Sequence, residues 1–198
     1  MRRSIFLVLV ALSIVAGGNA HASLFTVDAF SNSSTGGVGL DTGINVIAGQ
    51  TLNVGVDPND LWSAGDLPRW SNADGLTGNL YATGSDESGQ PAGTLIGKNW
   101  GLWTQSGLSA PFGSLVGELG GTFFVIGTNF SGPAPASGTL ELFYWDMNNY
   151  DNSHTLVDVN VSAVPEPGSF ILLGLGLIAL AAFARRATRR EVASRVKR

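Results

Sequence analysis

No cysteine occurs anywhere in the 198-residue chain. A disulfide framework, a thiolate nucleophile and a zinc site of the Cys/His type are therefore excluded. Basic residues are almost as scarce in the middle of the chain. Between positions 23 and 164 only Arg69 and Lys98 stand against thirteen carboxylates, a formal charge of −11. Phosphate backbones need a basic footprint, so nucleic acid is not a partner of such a domain. The same surplus keeps a domain soluble, repels acidic surfaces and attracts divalent cations. A Gly-rich phosphate loop in a strand-to-helix setting is also missing. Beyond position 22 the chain has one histidine, His154, with no Ser and Asp partner set for a nucleophilic triad.

Long apolar runs occur only at the two ends. Met1-Arg2-Arg3 is followed by an apolar stretch over 5–15 and by Ala20-His21-Ala22. That order is a charged n-region, an h-region and an A-x-A cleavage site, so residues 1–22 read as a signal peptide and the mature chain starts at Ser23. At the other end, Val164-Pro165-Glu166-Pro167 leads into an apolar run of 17 residues, 168–184. This is near the lower limit for a helix crossing a ~30 Å hydrocarbon core. Seven of the eleven Lys and Arg residues follow it, beginning with Arg185-Arg186. The positive-inside rule places that end in the cytoplasm and residue 164 outside.

Pro-Glu-Pro, a hydrophobic helix and an Arg cluster, in that order, closely resemble the PEP-CTERM sorting signal. The resemblance implies that residues 165–198 are recognised by an exosortase, a membrane cysteine transpeptidase, and removed. The protein would pass through a transient inner-membrane stage to the cell surface or extracellular matrix, typically in bacteria that make exopolysaccharide and biofilm. The basic tail here is longer than the usual few residues and includes Glu191.

Residues 23–164 amount to one domain, long enough for a real core. Gly, Ser, Thr and Asn dominate, and no long 3.6-residue period is visible. Short β-like runs recur at 24–30, 43–46, 51–56, 94–96, 114–119, 122–126, 139–145 and 155–161. Val157, Val159 and Val161 alternate with Asp158, Asn160 and Ser162, the pattern of a half-buried strand. About eight such strands predict an all-β, antiparallel β-sandwich or jelly roll. The stretch 57–93 is poor in strand signal and rich in Asp, Asn, Gly and Ser, which predicts a functional or mobile loop.

Oxygen ligands crowd into Asp146-Met147-Asn148-Asn149-Tyr150-Asp151-Asn152-Ser153, expected to be a hairpin loop before the last strand. Calcium takes six to eight oxygens from carboxylates, amides, carbonyls and water. Asp and Asn also favour plain turns, and composition alone leaves both readings open.

From about Asp41 to Val161 the chain is similar to the PA-IL-type galactose-binding lectins, a calcium-dependent jelly-roll family. The resemblance lies in 44–52 (INVIAGQTL), Trp62-Ser63-Ala64-Gly65, 110–117 (APFGSLVG), 134–140 (APASGTL), and Asp146 with Asp151-Asn152-Ser153. It implies calcium held by the side chains of Asp146, Asp151 and Asn152, with carbonyls near Tyr150 and Ala64. Sugar hydroxyls would then bind the ion directly. The glycan would contact Asp146, Tyr150, Asp151, Asn152 and an aromatic face, for which Trp70 is the expected residue. Trp62, Trp100 and Trp103 are further candidates, most of the five aromatics being expected in the core. The family's galactose-contacting His and Gln are absent from 66–80, which offers Arg69, Trp70, Asn72 and Asp74. His154 stands where the family has Gly after Asn-Ser. The calcium loop is therefore the safer transfer than galactose specificity.

Glu118 and Glu141 are the one carboxylate pair that glycoside hydrolysis could use. Both fall inside strand-like alternations and are expected to face solvent. The sequence thus reads as a non-enzymatic, exported, calcium-dependent glycan-binding protein. The alternative is a structural matrix protein whose calcium only stiffens a loop.

Overall fold

The structure, a computed structural model, describes residues 22–164 and Gly176. The expected signal peptide and sorting helix lie outside the described residues, Ala22 and Gly176 apart. Among the described residues, no helix is long and apolar enough to cross a membrane.

The chain from Asn19 to Pro165 forms one compact unit. Its strands, in order, are β1 (Ser23–Asp28), β2 (Leu40–Val46), β3 (Thr51–Val56), β4 (Trp62–Ser63), β5 (Trp70–Ser71), β6 (Leu80–Tyr81) and β7 (Leu95–Gly97). They continue with β8 (Leu102–Gln105), β9 (Leu108–Pro111), β10 (Leu115–Leu119), β11 (Thr122–Val125), β12 (Asn129–Pro133), β13 (Gly138–Tyr144) and β14 (Leu156–Ala163). Two antiparallel four-stranded sheets carry the fold, ordered β1-β14-β3-β12 and β11-β10-β13-β2. The protein is an all-β sandwich.

The sandwich closes because each sheet has one apolar face. On β14, Val157, Val159 and Val161 are fully buried while Leu156, Asp158 and Asn160 are exposed. On β13, Leu140, Leu142 and Tyr144 point into the same core, opposite Val27 of β1 and Leu52, Val54 and Val56 of β3. Burying one Val or Leu stabilises the fold by about 1.5–3 kcal/mol, so this shared core dominates. Trp62 is also fully buried, its ring edge-on to Tyr144 at 4.6 Å and its Nε1–H donating to the Gly113 carbonyl at 2.9 Å.

The 57–93 stretch, poor in strand signal, holds only the two-residue strands β4, β5 and β6. Two features differ from the sequence reading. The short β8–β9 hairpin packs Trp103, Leu108 and Ala110 against Trp145 and Val116, so the outer side of β10 and β13 is also partly covered. The 146–153 segment does not close a hairpin. β13 pairs with β10 and β2, while β14 pairs with β1 and β3, so the loop crosses from one sheet to the other.

Candidate functional site

β13 delivers Asp146 to the end of the sandwich where this crossover begins. Ser34 holds it there: the Ser34 hydroxyl donates to the Asp146 carbonyl at 2.9 Å and accepts from its N–H at 3.1 Å. Only 4% of Asp146 is exposed. Burial pushes its carboxyl up to about 6, and the Asp151 charge adds to this. The Met147 N–H, Asn152 and Arg69 act in the opposite direction. The result is a buried acid with too little positive charge around it.

The crossover turns back on itself through the Asn152 N–H, which donates to the Asn149 carbonyl at 3.1 Å. Asn152 is buried, and its Nδ2 donates to the Ala29 carbonyl at 2.8 Å. Its Oδ1 has no hydrogen-bond partner, nor does the buried Oδ1 of Asn148. A buried polar atom left unpaired costs roughly 1–3 kcal/mol, so two on one eight-residue segment call for a ligand.

The opposing wall is the turn after β4. Gly65 has φ +116°, and a Cβ there would meet the Asp151 carbonyl and the Arg69 guanidinium at 2.6 Å. The close approach requires glycine. Arg69 donates from Nη1 to Asp151 Oδ2 at 2.6 Å, with its Nε–H on the Asp66 carbonyl at 3.2 Å. Ala64, Arg69, Trp100, Asp146, Asn148 and Asp151 line one small cleft of about 80 Å³. That is well below the roughly 300–1,000 Å³ of a pocket that engulfs a small ligand.

The structure therefore brings Ala64, Asp146 and Asp151 to one cleft, with Asn152 against Asp146. Tyr150 lies on the same crossover with its side chain 81% exposed. Trp70 is elsewhere: it packs beside the Leu61, Ala82 and Ile96 cluster and does not line this cleft. Trp100 is the indole at the cleft instead. Sequence reasoning gave Arg69 no part in the metal shell, although its rarity in this acidic domain was a usable signal. Asn148 was hidden among five polar neighbours with equal claims. Among the described residues, no group of three or more His, Cys, Asp or Glu side chains converges to hold a metal. The oxygens here come from two carboxylates and two amides.

Glu118 and Glu141 face each other across the β10–β13 ladder, and Asp41 lies opposite Glu141 on β2. Burial, Glu118 and Asp41 all raise the Glu141 pKa above its usual value. His154 lies 3.1 Å from Asp28 through Nδ1, at the far end of the crossover.

Residues 163–190 match the PEP-CTERM protein-sorting motif. The chain carries a PEP-CTERM sorting signal. The motif begins at the last residue of β14 and marks an exported protein sorted through a membrane-anchored stage and processed by an exosortase. No curated protein matches the chain. Among solved structures, the chain is similar to the N-terminal domain of EclA, a PllA-like lectin. The identity is 22%, over 71% of this chain and 94% of that one, with a TM-score of 0.45.

Proposed function

We propose that this exported domain is a calcium-dependent glycan-binding module whose site is the 146–153 crossover. The observation that carries the reading is the pair of unpaired, buried amide oxygens on Asn148 and Asn152 beside the buried Asp146 carboxyl. The donor set is oxygen only, which suits a hard cation such as calcium. Asp146, Asp151 and Asn152 would hold the ion, with carbonyls near Ala64 and Tyr150. When bound, it would supply a hard Lewis-acid centre suited to vicinal sugar hydroxyls. The exposed Trp100, Met147 and Tyr150 offer apolar surface around the mouth, where a sugar would contact the protein.

The Arg69–Asp151 ion pair favours a second reading. In it the loop uses its own guanidinium as cation, and the protein is a structural component of an extracellular matrix.

Thermal melting of the full-length chain in calcium and in chelator separates the two. At calcium 100-fold above its dissociation constant the native state gains about 2.7 kcal/mol. The calcium reading expects that gain in wild type and its loss in Asp146→Ala. Equal melting in both buffers favours the second reading. A glycan array with and without chelator then tests the sugar.

A further inference from the structure

Positive charge on this domain is gathered on one indole. Lys98 Nζ lies 5.3 Å from the Trp100 ring centroid, and Arg69 Cζ lies 5.8 Å from it. These are the only two Lys or Arg residues between 23 and 164. Two like charges brought to one ring repel each other, although eleven carboxylates outside the cleft could each have accepted a cation. Arg69 is committed to Asp151 at 2.6 Å. Lys98 is exposed and, among the described residues, forms no salt bridge. Trp100 is 45% exposed and lines the cleft that holds Asp146 and Asp151. Its Nε1–H donates to the Pro68 carbonyl at 3.3 Å, which fixes the ring at the mouth.

We infer that the glycan taken here is anionic: a uronic acid residue lies beside the exposed Trp100 and presents its carboxylate to Lys98. This rests on the glycan reading above and names its substrate class. A neutral hexose can offer Lys98 only a hydroxyl acceptor, whereas a carboxylate adds the attraction of the opposite charge to the hydrogen bond. The local charge agrees. With Asp146 and Asp151 offset by a divalent cation, Arg69 and Lys98 leave the site at +2, or +1 when Asp66 on the same turn is counted. The surrounding domain carries −11. A polyuronate chain is thus repelled from the rest of the surface and admitted at Trp100, which sets its orientation as well as its place. The interaction of one exposed Lys with one carboxylate is small, and a repeating acidic polymer multiplies it.

The test is isothermal titration of the full-length chain in detergent, at clamped saturating calcium and low salt. Three probes are compared: digalacturonate, its methyl ester and a neutral digalactoside. The acid is expected to bind about fivefold more tightly than its ester, and the preference to shrink as salt rises. Lys98→Gln is expected to remove the preference while leaving calcium affinity unchanged. Ester binding equal to acid binding, or an unaltered preference in Lys98→Gln, overturns the inference and leaves the glycan reading standing. If none of the three probes binds, both fall together.

Discussion

Asp151 answers to two cations at once. Arg69 holds it at 2.6 Å, and the proposed calcium shell claims the same carboxylate. The pair is 23% and 31% exposed, so solvent weakens it, but a carboxylate cannot serve both fully. Arg69→Met is therefore expected to tighten calcium binding about tenfold, a gain of roughly 1.4 kcal/mol, read by titration calorimetry. Unchanged affinity would remove Asp151 from the ligand set. Glu141 poses a different conflict. Burial raises its pKa above the usual carboxylate range, and Glu118 and Asp41 on the flanking strands raise it further. A carboxyl whose folded pKa is raised favours folding when protonated. Its penalty is present at neutral pH, shrinks as pH falls through the folded pKa, and is gone below the unfolded value. Glu141→Gln should stabilise the protein at pH 7 by about 0.2–1 kcal/mol, a rise in Tm of about 1–3 °C. The difference from wild type should narrow toward pH 4. A Tm that falls at pH 7 contradicts this account of the ladder.

The elements differ in how openly the sequence declared them. β14 was legible because Val157, Val159 and Val161 face one core and Asp158 and Asn160 face water. Val159→Ala should cost about 2 kcal/mol in denaturant unfolding, while Leu156→Ala, 54% exposed, should cost little. Equal effects would mean that the register differs from that described. β12 was illegible because Gly132 and Pro133 read as turn residues, yet Pro is tolerated on the edge strand that β12 forms. The β8–β9 hairpin did carry a local signal. Ser106 and Gly107 both have positive φ, +49° and +85°, the requirement of a two-residue turn matched to strand twist. The crossover was misread as a hairpin because neighbouring strands in sequence usually pair. Here β14 finds β1 and β3 instead, a choice made by core complementarity that no local pattern reveals. The loop's oxygen richness was readable, but the Arg69 contact was not. It depends on a turn 82 residues away in sequence.

At the scale of the whole molecule, an all-β domain is followed by a sorting motif. The A-x-A site and the Pro-Glu-Pro junction predict that the surface form lacks both 1–22 and the basic tail. Intact-mass measurement of exported protein checks this, and finding 185–198 on the surface form would overturn it. The place where β14 sits gives the molecule a further property. It pairs with β1 over 156–161 and with β3 over 159–163, and the Val164 N–H still donates to the Thr51 carbonyl at 2.8 Å. The crossover enters one end of this strand, and the sorting motif begins at the other. When the chain is held at residue 165 and a ligand is held at the crossover, tension between the two runs along β14. The strand is already extended, so its own backbone carries that load with little give, and β14 acts as a tie rod between the ligand end of the domain and its point of attachment.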